Sequence, residues 1–354
     1  MSTGAFTEAD SLMANAKKHL KTGLFKRKPD WGSAADDYER AGGLYVSDGN
    51  VEKACEAYNS ACEAYEKVGS LVSASLIKSK LAQFLAEQAR KGCGGKSLDK
   101  KLMDSAVESY RGAARYYALD GKFDRMAETL VKAAELIDPT THCAFASPLA
   151  AKSNVEGDRE KVKQVCALLE EAADALEENE DNNNSYIIRL PDIYRKWMLA
   201  CLRSGDVLRA IAVLERQLGI TNGSGDGTSK IKGKCAGGFY ARLNQPHNVA
   251  KTGLEIIVLC LSLGDLVLAR MKLDGLRGIS GFANTKEEST ARSLLEAFGE
   301  RDTEMLQETL KDSTLMFITN DISRMAKKLV IRSTEAKPDT CEGGEVIDGE
   351  EDLR

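Results

Sequence analysis

The stretch from Trp31 to Gly69, WGSAADDYERAGGLYVSDGNVEKACEAYNSACEAYEKVG, holds the pattern from which the rest of the chain is read. Ala34, Ala35, Tyr38, Ala41 and Tyr45 recur at helical spacing as one apolar stripe, and Asp48-Gly49 breaks it. Val51, Ala54, Cys55, Tyr58, Cys62 and Tyr65 form the next stripe, closed at Gly69. Small residues beside aromatics at i, i+3 and i+4 let antiparallel helices approach closely. A third stripe covers Leu71 to Ala89 and a fourth Leu98 to Leu119, with a stop at Asp120-Gly121. Gly205-Asp206 and Gly264-Asp265 punctuate in the same way. Helix pairs recurring at roughly 35–45 residues mark a tetratricopeptide-like superhelical solenoid, in which each pair buries its face against its neighbours.

Outward from that stretch, Ala9, Leu12, Met13, Ala16 and Leu20 predict a first helix over about Thr7–Thr22. Val249 to Leu273 predicts a helix pair buried on most sides, because Leu254, Ile256, Ile257, Val258, Leu259, Leu261 and Leu263 leave little polar face. Shorter helices expected over Glu287–Gly299, Thr303–Lys311 and Thr319–Ile331 form a compact closing bundle. Two breaks read as surface insertions. Asp138 to Gly157 carries Pro139 and Pro148, and Thr221 to Pro246 carries a Gly/Ser/Asn run followed by Lys230, Lys232 and Lys234. The expected organisation is all-α: a solenoid over 1–220, a flexible loop over 221–248, a helical bundle over 249–332 and an acidic tail over 333–354.

Composition agrees with that class. Of 354 residues, 43% are apolar and 29% charged, while prolines number six and aromatics make up 6%, a profile that favours helices over sheets. No window approaches the ~20 apolar residues of a membrane-spanning helix. The start lacks the basic-then-apolar order of a signal peptide, so the cytosol is the expected compartment. Nine cysteines include Cys55, Cys62, Cys166, Cys201 and Cys260 in apolar helical runs. None forms a CxxC pair or stands at ligand spacing from histidine, so reduced thiols and no zinc are expected.

Catalytic signatures are wanting. Gly95-Lys96-Ser97 ends like a phosphate-binding loop, but Arg90 stands where the pattern needs its first glycine, and a helix precedes it instead of a strand. His19, His142 and His247 have no nucleophile nearby in the sequence. Bases are dispersed without aromatic interleaving, which argues against nucleic acid. The expectation is a scaffold with no catalytic residues, cofactor or metal.

The two ends carry interaction signals. Gly23-Leu24-Phe25-Lys26-Arg27-Lys28-Pro29 sets two large apolar side chains before three bases between two helices. Leu24 and Phe25 fit a core, or a loop touching an anionic membrane, where each base near the surface adds ~1 kcal/mol. From Pro338 onward seven acids face Arg354 alone, in a chain of net charge −5, so the body is close to neutral. The last residues, Glu350-Glu351-Asp352-Leu353-Arg354, fit a solvated tail or a short motif that docks on a basic partner through Leu353.

The segment Leu20 to Asp30, followed by Ser33-Ala34-Ala35 and Tyr38-Glu39-Arg40-Ala41, resembles the start of the soluble NSF attachment proteins (SNAPs), most closely the gamma type. The ending Glu350 to Arg354 resembles the alpha type. Leu294-Leu295-Glu296-Ala297 with Asp302 and Lys327-Lys328 resembles that family's closing bundle. The resemblance spans almost the whole chain in the right order. It implies an adaptor that coats a SNARE complex, attaches peripherally to endomembranes, and recruits and stimulates the hexameric ATPase NSF. By that resemblance Leu24 and Phe25 contact membrane with Lys26, Arg27 and Lys28 on the headgroups. Lys122, Lys196, Lys251 and Lys286 face the acidic SNARE bundle. Asp265, Glu296, Glu300, Glu350, Glu351, Asp352 and Leu353 face NSF. Asp265 alternatively only caps a helix after Gly264. Two positions that are basic in the alpha type fall on Glu128 and Asp192, which implies weaker SNARE binding or a different SNARE set.

Two other functions compete. A tetratricopeptide-like scaffold gripping a linear peptide, such as a chaperone tail, needs Lys, Arg and Asn clustered around a peptide carboxylate. An enzyme needs a convergent pocket holding shifted titratable groups.

Overall fold

A computed structural model describes residues 3–22, 28–91, 99–139, 155–179, 186–220 and 238–331. Sixteen α-helices and no strand occur among the described residues. The first nine are α1 (Thr3–Leu20), α2 (Trp31–Ser47), α3 (Val51–Val68), α4 (Leu71–Lys91), α5 (Lys100–Leu119), α6 (Phe123–Ile137), α7 (Val155–Glu178), α8 (Leu190–Arg203) and α9 (Val207–Gln217). Their main contacts run between consecutive helices, from α1 against α2 through α8 against α9. The remaining seven are α10 (Gly238–Arg242), α11 (Pro246–Ser262), α12 (Leu266–Arg277), α13 (Lys286–Glu300), α14 (Thr303–Thr309), α15 (Thr314–Phe317) and α16 (Asn320–Ala326). Here α11 is the hub, packed against α9, α10, α12, α13 and α16. The architecture is an all-α solenoid of antiparallel helix pairs closed by a helical bundle.

One hydrogen-bond device makes the hairpins. After α2, Gly49 takes a left-handed φ of 71°, which a residue with a Cβ adopts only under strain. The Gly49 N–H then donates to the Val46 carbonyl and the Asn50 N–H to that of Tyr45, at 3.0 and 2.9 Å. Asn50 in turn caps α3 by accepting the Lys53 N–H at 3.2 Å. The same carbonyl captures recur at Gly69-Ser70, Gly121-Lys122, Gly205-Asp206 and Gly264-Asp265. At the last two, Asp206 and Asp265 cap α9 and α12 through the N–H of Arg209 and Leu268.

The alanine–tyrosine stripe is buried as expected: Ala34, Ala35, Tyr38, Ala41 and Tyr45 all lie in the core, as do Ala54, Tyr58 and Cys62 of α3. Close approach has a specific cause. A Cβ on Gly42 would overlap the Tyr58 ring, so the small residue lets α2 lie directly on that ring. Asp10 of α1 accepts from both the Tyr45 hydroxyl at 2.5 Å and Lys53 at 2.8 Å, tying α1 to α2 and α3.

Several expectations need correction. The first helix stops at Leu20, short of Thr22, because the Asp30 N–H takes the His19 carbonyl at 3.0 Å and turns the chain. The 221–248 segment does not remain a loop throughout, since α10 and the first turn of α11 lie inside it. Phe239 and Tyr240 are the reason: both rings are buried, Phe239 beside Tyr194 with centroids 5.4 Å apart, and Gln217 donates to the Tyr240 hydroxyl. Residues 221–237 lie outside the described part. Asp138, expected in a surface insertion, is held by Arg203 at 2.7 Å with both side chains mostly buried, and α7 already begins at Val155. The closing bundle gains a helix, α15, where Asp312 accepts the Thr314 N–H at 2.9 Å.

Candidate binding surfaces

The proposed membrane loop is pinned at its exits. Asp30 caps α2 by accepting the Ser33 N–H at 3.1 Å, and His19 approaches Asp37 at 3.5 Å. Lys28 is exposed beside this anchor. Leu24, Phe25, Lys26 and Arg27 lie outside the described residues, as do Glu350, Glu351, Asp352 and Leu353.

The four candidate SNARE-facing lysines differ in what holds them. Lys196 on α8 is 15% exposed and ion-paired to Asp192 at 2.6 Å and to Glu135 of α6 at 3.1 Å. Burial opposes its charge, but those two hydrogen bonds outweigh it and raise its pKa. Lys196 therefore fastens α8 to α6. Lys122 is half exposed and reaches back to Asp120 at 2.9 Å. Lys286 is exposed at the first position of α13 and acts on Asp312 electrostatically. Lys251 is half-buried on the second turn of α11 and makes no ion pair among the described residues. Arg195, the neighbour of Lys196, is exposed and likewise unpaired among them. Sequence reasoning passed over Arg195, although its adjacency to Lys196 was visible.

Glu128 and Asp192, the two acids that the resemblance sets at positions basic in the alpha type, are occupied locally. Asp192 serves Lys196, while Glu128 meets Lys132 at 2.9 Å, Arg189 at 3.6 Å and Arg125 at 3.7 Å. Its hydrogen bond from Lys132 is the main cause holding the Glu128 carboxyl below its usual range.

Asp265, Glu296 and Glu300 are all exposed. Asp265 does cap α12, accepting the Leu268 N–H at 2.8 Å. The three stand at one end of the α12–α13 pair, because Arg270 on α12 lies against Gly299: a Cβ there would sit 2.6 Å from its guanidinium.

A cleft of about 370 Å³ opens between α8, α9, α11 and the α15–α16 turn, within the size range of small-ligand pockets. Pro191, Arg195, Lys251 and Phe317 line it together with Glu255 and Asp321. Glu255 accepts the Thr319 N–H at 2.7 Å and so holds the α15–α16 turn onto α11. Burial pushes its carboxyl up, against the Thr319 hydrogen bonds and the Lys251 charge. Burial likewise raises Asp321, against attraction from Arg324, Arg203 and Arg195. Two shifted carboxyls in a cleft are what an enzyme would need, yet Glu255 is committed to Thr319 and no Ser, Cys or His lines the space. Arg195 and Lys251 also correct the expectation of dispersed bases, because the fold brings the two to one cleft, beside the Asn248 amide.

Glu255→Gln tests this assignment through pH. An unfolded glutamate ionises near ~4.3. The folded Glu255 ionises at higher pH, so wild-type stability falls as pH rises through that window, and the penalty persists above it. Glutamine still accepts the Thr319 N–H and carries no such penalty. The expected result is a Tm gain over wild type that is larger at pH 7 than at pH 4, read by thermal denaturation. An equal shift at both pH values would show that the Glu255 charge carries no cost.

The fold defines the class: an all-α helical-repeat protein. No family model matches the chain. Its sequence is 20% identical over 332 residues to the gamma-soluble NSF attachment protein of Dictyostelium discoideum, covering 94% of this chain and 85% of that one. It is 22% identical over 323 residues to the Arabidopsis thaliana protein of the same name, covering 91% and 92%. Both of these relatives are soluble NSF attachment proteins of the gamma type, and each match spans more than nine tenths of this chain. Among solved structures, BtubC (BKLC) from P. vanneervenii is 16% identical, covers 78% of this chain and 91% of its own, and has a TM-score of 0.31. A likeness of that size carries no weight, and the fold rests on the helices themselves. No helix among the described residues is long and apolar enough to cross a membrane.

Proposed function

We propose that this chain is an adaptor in vesicle fusion that binds SNARE complexes, recruits NSF and stimulates its ATPase to disassemble them, with no catalysis of its own. The observation carrying this reading is similarity along nearly the whole length to two proteins named for NSF attachment. The placement of charge supports it. Arg195 and Lys251 offer uncommitted cations to an acidic bundle, while Asp265, Glu296 and Glu300 offer acids at the far edge of α12 and α13. On this reading the chain works from the cytosol, and Leu24 and Phe25 with Lys26, Arg27 and Lys28 supply peripheral attachment to endomembranes. The tail acids Glu350, Glu351 and Asp352 steer towards NSF, and Leu353 docks.

The test is reconstitution. Purified chain added to NSF, ATP and liposome-anchored SNARE complexes is expected to speed disassembly, and a rate equal to that without it would end the proposal. On this reading the lysine without an ion pair matters more than the paired one. Lys251→Glu is expected to weaken SNARE binding about ten-fold, as reversal of an uncommitted charge against an acidic partner does. Lys196→Ala is expected to cost about 1 kcal/mol of stability through its lost ion pairs while affinity stays within about two-fold. The reverse order, in a pull-down with soluble SNARE complex, would move the binding face to Lys196. Leu353→Ala is expected to leave SNARE binding intact and depress ATPase stimulation, and unchanged stimulation would remove the tail from the mechanism.

A further inference from the structure

Asp321 lines the cleft between α8, α11 and α16 and carries an oxygen that the fold does not satisfy. Asp321 is 3% exposed, and its Oδ1 is buried with no hydrogen bond. Its nearest cation, Arg324, stands 3.9 Å away, beyond hydrogen-bond reach. A buried acceptor left unmade costs free energy, which is recovered when a small turn of the carboxylate brings it to a donor in the cleft. At the same cleft Arg195 and Lys251 are cations without ion pairs among the described residues, and Phe317 leaves 68% of its surface to solvent. The space thus asks for three things together: a strong donor for Asp321, acids for Arg195 and Lys251, and a flat or aliphatic stem for the Phe317 ring.

We propose that this cleft receives one arginine side chain of a partner segment, its guanidinium donating to Asp321 and its stem lying on Phe317, while flanking acids of the same segment meet Lys251 and Arg195. Guanidinium is the fitting group because it is planar, always charged, carries several donors and stacks on aromatic faces. The cleft also distinguishes this occupant from a peptide carboxylate. Arg195, Lys251 and Asn248 would welcome a carboxylate, but it would have to settle beside Glu255 and Asp321, two acids already desolvated. The inference goes beyond SNARE binding, since it concerns any partner segment of that chemistry.

The probe is acetyl-Glu-Glu-Arg-Glu-Glu-amide, titrated into the full isotope-labelled chain and followed by backbone amide chemical shifts. The expected result is saturable shifts at Thr319, Asn320 and Asp321, with binding about ten-fold weaker for the peptide carrying Gln in place of Arg. Asp321→Asn is expected to remove that preference for Arg. Arg195→Glu, at an exposed position that leaves the core intact, is expected to weaken both peptides while the preference persists. Equal binding of the Arg and Gln peptides overturns the proposal, as does an undiminished preference in a folded Asp321→Asn variant. Tighter binding of acetyl-Glu-Glu-Gln-Glu-Glu with a free carboxylate overturns it in favour of a carboxylate clamp. SNARE binding is scored separately by pull-down: a SNARE complex that fails to bind ends the adaptor reading and leaves the peptide result standing.

Discussion

Arg216→Ala is expected to destabilise the chain by about 3 kcal/mol, the lower end of what removing one member of a buried ion pair costs. Arg216 stands in the last turn of α9 with a side chain 8% exposed, and reaches across α7 to donate to Asp174 and, at 2.7 Å, to Glu177. Its guanidinium also lies over two rings of α8, 5.8 Å from the Tyr194 centroid and 5.5 Å from that of Trp197. Glu177 accepts the Tyr194 hydroxyl as well, so one arginine closes a network over three consecutive helices. The lower end applies because Asp174 is about half exposed and water takes over part of its lost bond. The Arg216 Nε atom, buried without an acceptor, also offsets some of the gain. Arg216→Lys is expected to recover only part of the loss, since an ammonium can bond the carboxylates but has no planar face to lie over the two rings. Denaturation midpoints for the three proteins decide it: superimposable curves for Arg216→Ala and wild type would remove the network from the account of stability.

Phe282→Ala is expected to cost about 3–5 kcal/mol, the range for deleting a buried aromatic ring. Phe282 lies in the turn between α12 and α13, is 0% exposed, and rests on the middle of α11 at Gly253. A Cβ on Gly253 would overlap the ring, so Gly253→Ala alone is expected to cost about 1–3 kcal/mol by overpacking. The pair gives a sharper test than either single change. With the ring gone, the added methyl enters vacated space, and the double variant is expected to be less destabilised than the sum of the two. Strict additivity in denaturant melts would mean that ring and glycine do not share one contact.

These two contacts show where sequence reasoning reaches its end. The Ala34-to-Tyr45 stripe and the Gly-Asp punctuation were legible because helix period and hairpin capping are local, and both are observed where expected. The hub role of α11 was legible in its run of apolar residues. Its single interior acid, Glu255, was the signal for a buried hydrogen bond, though nothing local pointed to Thr319 sixty-four residues on. Helix α10 was hidden because the Gly/Ser-rich composition before it was extended over Phe239 and Tyr240, whose aromatic rings argued for burial. Lys196, which the resemblance sets towards the SNARE bundle, has a standard helix-face partner in Asp192 four residues earlier; only Glu135 required the fold. The cleft draws on residues from Pro191 to Asp321, so no spacing rule could assemble it.

The serial arrangement of α1 to α9 has a mechanical consequence. Contacts between consecutive helices act like springs in series: a pull between α1 and α9 is borne by every link, and the extension is shared among them. Around α11 the connections instead act in parallel, so the load is divided among α9, α10, α12, α13 and α16 at once. Tension along this chain is therefore taken up first by the serial helices α1 to α9 and resisted by the cluster around α11, and the cleft lined by Asp321 sits where the two meet.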